Sequence, residues 1–146
     1  MSKIFVHAKT MIDGVSDTPK FDQLITCEDG KITAIEPYHT INENVVEANV
    51  VTPGFFNCHV HIMEPVGFGT DKEFTFIEKT FYTQKHLEDY INSGVTFIRV
   101  VGTENDYDMD IRDCVDAGLV KGPHMLPTNT EVFPEPAAAA TRIFLS

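Results

Sequence analysis

The sequence predicts an α/β protein in which a small all-β segment precedes a parallel strand–helix–strand–helix–strand segment. Residues 3–52 contain short β-rich runs separated by turn signals, and residues 53–127 alternate β-rich runs with helical patterns. Alternation of strand and helix favours right-handed βαβ units and a parallel sheet. The change from one sequence pattern to the other divides the chain near residue 52.

The first segment reads as a small β unit. Residues 3–8 form a β-rich run, and residues 23–27 and 31–35 flank the turn signal Asp29-Gly30. An Asp-Gly pair between two such runs predicts a hairpin, because glycine accepts the positive φ of a tight turn. Further β-branched residues at 45–51 supply one more strand.

The stretch from 51 to 62, Val-Thr-Pro-Gly-Phe-Phe-Asn-Cys-His-Val-His-Ile, predicts one short buried strand that ends in two histidines. Successive side chains of a strand alternate faces, so His59 and His61 should point the same way. Two neutral imidazoles on one face can bind one metal ion from the same direction. Cys58 should alternate away from them as a small buried side chain.

A Gly/Pro loop at 64–69 should follow, and then a helix. Thr70 and Glu73 have the spacing of a capping box, and the helix should run to about Asn92, where Ser93-Gly94 ends it. One apolar stripe is predicted along this helix, at Phe74, Ile77, Phe81, Leu87 and Ile91.

The remaining elements complete the alternation. Residues 95–102 are almost all apolar or β-branched, as expected for a buried parallel strand. A short helix at about 109–117 should end at Gly118, and residues 123–127 should form a third strand. Asp106, Asp108 and Asp110 resemble the start of a calcium loop. Ile111 and Ala117 replace the glycine and glutamate that such a loop needs, so we interpret these acids as helix N-terminal charges.

Composition limits the possible functions. With 146 residues, 42% of them hydrophobic, the chain can form a globular core in about one domain. A net charge of −11 argues against nucleic acid and anionic membranes as partners. No segment approaches the roughly 18–20 apolar residues of a membrane span, and the N-terminus lacks the apolar part of a secretion signal. Cys27, Cys58 and Cys114 form no disulfide framework, so we expect a cytoplasmic protein.

The run Thr-Pro-Gly-Phe-Phe-Asn-Cys-His-Val-His at 52–61 resembles the signature of the metal-dependent amidohydrolase superfamily, in which a Pro-Gly-apolar-apolar-Asp-x-His-x-His run forms the first strand of a TIM-type barrel. The resemblance extends from about Lys3 to Pro127. It is closest to the imidazolonepropionase-related group, which includes prolidase-like Xaa-Pro dipeptidases. It implies a partial β-sandwich at 1–52 and the first three β/α units of a TIM-type (β/α)₈ barrel at 53–127. Such a barrel needs about 250 residues, so a truncated fold is expected.

The resemblance also implies a function. His59 and His61 would bind one or two divalent metal ions, most often zinc, that activate water to hydrolyse a carbon–nitrogen bond in a small amide, cyclic amide or Xaa-Pro-like dipeptide. The other metal ligands and a general-base aspartate come from later strands in the family, beyond the end of this chain. We therefore expect little activity from these 146 residues alone.

Two positions depart from the family pattern. Asn57 replaces the aspartate of the signature and loses its charge. Val100 follows Arg99 where the related group often has Arg-Asp-x-Gly. The other histidines and the loop acids are interpreted as ordinary surface or core residues: His7, His39, His86, His124, Glu64 and Glu104.

Residues 128–146 have an atypical texture that includes the run 137–140 of four alanines. Codons that permit this segment also permit Arg-Gly-Ile-Ser-x-Thr-Gly-Gly when read two bases later. That sequence is similar to the family's continuation, so we hypothesise an out-of-frame tail. Two alternatives stay open, namely a non-catalytic binding or assembly module and complementation by a second chain.

Overall fold

A computed structural model describes residues 3–63 and 73–128 of the chain. It shows the mixed α/β fold that the sequence predicts, divided into two compact units between Pro53 and Gly54. The elements are, in chain order, β1 Lys3–Met11, β2 Lys20–Glu28, β3 Lys31–Pro37, β4 Val45–Val51, β5 Phe55–Val60, α1 Phe76–Asn92, β6 Val95–Val100, α2 Tyr107–Asp116 and β7 His124–Leu126. The three acids that resemble a calcium loop lie at the start of α2. The predicted loop at 64–69, Thr70 of the predicted capping box and the tail from residue 129 lie outside the described residues.

The first unit is a four-stranded sheet in the order β3-β2-β1-β4. Strand β2 pairs antiparallel with both β1 and β3, whereas β4 joins β1 in parallel. The predicted hairpin is confirmed, since Asp29 and Gly30 between β2 and β3 have φ of +49° and +79°. Two positive φ values are what a two-residue type I′ turn requires. Ala8, Met11 and Ile25 form the buried apolar cluster of this unit.

The second unit is a parallel sheet in the order β5-β6-β7, with α1 and α2 as the connections. The predicted alternation of strand and helix is therefore confirmed. Its core lies between the sheet and the helices and consists of Val60, Ile62, Met63, Leu87, Ile98, Val100 and Met125. Within residues 3–63 and 73–128, no helix is both long and apolar enough to cross a membrane.

Helix α1 begins later than predicted. Its N-cap is Thr75, whose Oγ1 accepts a hydrogen bond from the Glu78 amide at 3.2 Å, while the Thr75 amide donates to Glu78 Oε2 at 2.9 Å. The capping box is thus formed by Thr75 and Glu78, and the prediction that used Glu73 is wrong. Both sites have the same Thr-x-x-Glu spacing, so the local pattern does not distinguish them.

The predicted apolar stripe of α1 is also wrong in part. Leu87 is buried, but Ile77 and Phe81 are 66% and 67% exposed. The helix buries Thr83 and Leu87 instead, and its C-terminal half packs on the core with Tyr90. An apolar stripe at helical spacing identifies the helix, but tertiary packing selects the face that is buried.

The stretch from 51 to 62 is not one strand. Val51 ends β4 in the first unit, and β5 begins at Phe55 in the second. Gly54 precedes β5 at a point where a Cβ atom would overlap the side chain of Thr96 on β6. A glycine here lets the backbone approach β6 closely enough to begin the parallel pairing.

Candidate metal centre

The two predicted metal ligands lie next to each other at the carboxyl end of β5. His59 lies in the strand and is exposed. His61 is the first residue after the strand and is partly buried. Their ring centroids are 5.5 Å apart, and the ring planes are inclined by 66°. The structure therefore brings the two imidazoles together, as the alternation of strand side chains predicts.

This arrangement fits two ligands of one metal ion. Zinc binds imidazole nitrogen at about 2.0–2.1 Å with tetrahedral angles, which corresponds to ring centres about 5 Å apart. Within residues 3–63 and 73–128, however, no three His, Cys, Asp or Glu side chains are close enough to hold an ion together. The histidine pair thus fits part of a metal site, and a complete zinc site needs one or two further ligands.

The facing of the histidines depends on an irregularity in β5. Asn57 pairs with Ile98 and Val60 pairs with Val100, so Cys58 and His59 together oppose the single residue Arg99. Two residues opposite one is a β-bulge, which interrupts the alternation of faces. On β6, Thr96 is an extra residue between the partners of Phe55 and Phe56. This earlier shift and the bulge cancel, so the register at Val60 is again that of Phe55.

The bulge explains an incorrect prediction. Cys58 is exposed, not buried as strict alternation from His59 requires. Residues on the two sides of a bulge do not follow one alternation, so Cys58 and His59 can both face away from the core. The side chain of Asn57 closes the bulge, since its Oδ1 accepts a hydrogen bond from the His59 amide at 3.2 Å.

The chain after His61 is held by helix α1. The carbonyl oxygen of Ile62 lies 3.1 Å from Thr83 Oγ1 and 3.1 Å from His86 Nδ1. A carbonyl oxygen only accepts, so His86 carries a proton on Nδ1. Neither contact is predictable from the sequence. A threonine inside a helix and a lone histidine carry no signal of a partner more than twenty residues away.

The acids near α2 have a structural role. Asp108 and Asp110 lie in the first turn of α2, as predicted for helix N-terminal charges, and Asp106 is the N-cap residue. Asp108 is fully buried and accepts hydrogen bonds from Thr103 Oγ1 at 3.2 Å and from the Thr128 amide at 3.0 Å. These contacts hold together the segments that follow β6 and β7.

The other histidines do not join the pair. His7, in the first unit, stacks on Tyr38 with ring centroids 3.7 Å apart and lies 2.9 Å from Glu47 Oε2. The sequence shows no sign of this cluster, because its members are on three different strands or loops. His124 is exposed on β7. Val100 is buried in the core and Arg99 is exposed.

Comparison with known families decides the assignment. The family model of the amidohydrolase family matches residues 50–136, which is more than half of the chain and includes the histidine pair. The chain belongs to the amidohydrolase family. A search of curated protein sequences gave no significant match.

Solved structures of similar fold include other amidohydrolases. An Xaa-Pro dipeptidase with methionine bound in its active site matches with a TM-score of 0.82 and 22% identity over 94% of this chain and 37% of its own. A prolidase complexed with N-methylphosphonate-L-proline matches with a TM-score of 0.71 and 18% identity over 97% of this chain and 38% of its own. Phenylurea hydrolase B matches with a TM-score of 0.67 and 21% identity over 99% and 36% of the two chains. This amidohydrolase thus spans little more than a third of the length of these structures, and the likeness shows the fold.

Proposed function

We propose that this amidohydrolase chain contributes the first two metal ligands, His59 and His61, to a hydrolase that cleaves carbon–nitrogen bonds. The observation that carries the proposal is the pair of imidazoles 5.5 Å apart at the carboxyl end of a parallel strand. In α/β folds of this kind, functional side chains collect at the carboxyl ends of the strands. The membership of the amidohydrolase family supports the reaction class.

The chain's own residues would hold a divalent ion and direct it toward the substrate. The exposed His59 and the partly buried His61 present nitrogen ligands of the kind that zinc prefers. When bound, a divalent ion supplies Lewis-acid polarisation of a carbonyl and lowers the pKa of water toward neutrality. The backbone is held on both sides of the pair. Asn57 bonds the His59 amide, and Thr83 and His86 each bond the Ile62 carbonyl.

The proposed substrates are small amides, cyclic amides or Xaa-Pro-like dipeptides. The similar structures named as an Xaa-Pro dipeptidase and as a prolidase support this class. The remaining ligands and the general base would come from sequence outside these 146 residues, so the chain alone should have little hydrolase activity. Sequencing the coding DNA through Thr128 and well past Ser146 tests this part. A one-base correction that opens a long frame with downstream histidines and an aspartate is the expected result.

Metal binding by the pair can be measured directly. Among divalent first-row metals Cu²⁺ binds nitrogen ligands most strongly, so it is the most sensitive probe of an incomplete site. We expect one Cu²⁺ to bind the purified chain near neutral pH, and His59→Ala or His61→Ala to weaken that binding at least about tenfold. His124→Ala, an exposed histidine on β7, is the control. Equal affinity in wild type and in a variant that carries both His59→Ala and His61→Ala would refute the metal centre and favour a non-catalytic binding module.

A further inference from the structure

The β-bulge at Cys58 and His59 reverses the one-residue shift that Thr96 introduces earlier in the pairing of β5 with β6. Before the bulge, Asn57 pairs with the buried Ile98. Regular alternation from that point would give residue 59 the inward-facing position beside Val100. The bulge shifts the register by one, so Val60 pairs with Val100 instead. A shift of one residue moves every following side chain to the opposite face of a strand.

Burial of the following residues agrees with this shift. Val60 and Ile62 are 3% and 0% exposed and belong to the core, whereas His59 is exposed. The bulge therefore returns both histidines to the face that the first pair, Phe55 and Val95, assigns to them. If the shift at Thr96 remained and the bulge were lost, two imidazoles would replace Val60 and Ile62 in an apolar core, where each would need a hydrogen-bond partner.

The Asn57 side chain is the group that stabilises this bulge. Cys58 and His59 have no partner of their own in the register between β5 and β6. The His59 amide donates instead to Asn57 Oδ1 at 3.2 Å, two residues earlier in the chain. Asparagine and aspartate side chains bond backbone amides two residues on, and they thereby stabilise local departures from regular structure.

We propose that Asn57 is a positioning residue for the histidine pair, and that its Oδ1 holds the bulge that turns His59 and His61 away from the core. The contact uses only an acceptor oxygen, which asparagine and aspartate share. The asparagine in this chain therefore keeps the function that an aspartate would have at this position. The effect on metal binding rests on the proposed function, whereas the effect on the bulge does not.

The first measurement is metal-free. Amide hydrogen exchange of His59, followed by NMR in the full chain, should be about tenfold faster in Asn57→Leu, which keeps the side-chain shape and removes the acceptor. Asn57→Asp should stay within about twofold of wild type, since it keeps an oxygen at the same place. Asn49→Leu, the same substitution on an exposed position of β4, is the control.

The second measurement uses Cu²⁺ and the same variants. Asn57→Leu should weaken Cu²⁺ binding about tenfold and change the nitrogen hyperfine pattern in the EPR spectrum, whereas Asn57→Asp should retain both. The hyperfine pattern reports the nitrogen ligands of the bound Cu²⁺, so a variant that only loses global stability would leave it unchanged.

The outcomes separate the two proposals. Unchanged His59 exchange in Asn57→Leu, or equally fast exchange in Asn57→Asp, overturns the positioning role. If exchange behaves as expected but His59→Ala and His61→Ala leave Cu²⁺ affinity unchanged, the bulge role stands and the metal centre fails. Should Asn57→Leu not fold, Asn57→Asp decides: wild-type exchange of the His59 amide supports the acceptor role, and faster exchange contradicts it.

Discussion

The hydroxyl oxygen of Thr83 lies 3.1 Å from the carbonyl oxygen of Ile62. This contact joins the middle of α1 to the residue that follows His61. Thr83 is also 2.8 Å from the Lys79 carbonyl, so one buried hydroxyl proton is shared between the helix and the end of the strand segment. The helix therefore contributes to the placement of the histidine pair, although it contains neither ligand.

Removal of this hydroxyl should destabilise the second unit. Thr83→Val keeps the shape but leaves the buried Ile62 carbonyl with fewer donors, and we expect a loss of about 1–2 kcal/mol in the free energy of unfolding. Thr83→Ser should recover most of it. Thr80→Val removes an exposed hydroxyl that donates to Phe76 on the same helix and should cost less than about 0.5 kcal/mol. Denaturant unfolding measures all three, and equal losses at positions 80 and 83 would contradict the role of the Ile62 contact.

The close approach of Gly54 and Thr96 predicts a coupled pair. Gly54→Ala would place a Cβ atom against the Thr96 side chain, and relieving that overlap should cost about 1–3 kcal/mol. Thr96→Gly removes the opposing atoms. The double variant should therefore be more stable than the sum of the two single changes predicts. Strict additivity in a double-mutant cycle would show that the two positions do not contact.

Asp108 should be sensitive to the loss of a single charge. Its two oxygens accept from the Thr103 hydroxyl and from the Thr128 amide, so Asp108→Asn removes the charge from both hydrogen bonds and replaces one acceptor oxygen by a donor that the Thr103 hydroxyl must turn to meet. We expect a loss of about 1–3 kcal/mol in the stability of the second unit. Asp110→Asn is the matched control, since Asp110 is exposed in the same helical turn. If calorimetry gives the same midpoint for both variants, the Asp108 contacts are not stabilising.

The first unit should lose stability in acid through Asp13. The Lys20 ammonium, 2.8 Å away, and the amides of Ser16 and Val15 hold the pKa of the Asp13 carboxyl well below its usual range. Because the folded-state pKa is the lower one, the stabilisation is present above the unfolded pKa of about 3.9 and is lost as pH falls below it. Asp13→Asn should therefore be less stable than wild type at pH 6, and the difference should shrink toward pH 2.

Unfolding of the first unit at a series of pH values, followed by NMR signals of β1 and β2, checks this prediction. Asp17→Asn changes an exposed acid in the same loop and should leave the pH dependence as it is in wild type. A difference between Asp13→Asn and wild type that stays constant from pH 6 to pH 2 would exclude Asp13 as the titrating group.

Local chemistry explains what could be predicted. The Asp29-Gly30 hairpin follows from two residues whose backbone preferences admit one kind of turn. The parallel second unit follows from the alternation of strand and helix, since a parallel connection needs a crossover. The start of α1 could not be predicted in the same way, because Thr70-x-x-Glu73 and Thr75-x-x-Glu78 satisfy the same local rule.

The sequence by itself determined that two histidines stand one residue apart at the end of a β-rich run in an amidohydrolase pattern. Only the tertiary structure decided which way they face. Alternation along a strand establishes that His59 and His61 share a face, but the pairing of β5 with β6 and the bulge between them select that face. Pairing between strands some forty residues apart depends on the packing of Val60 and Val100 in a common core, and no local pattern contains that information.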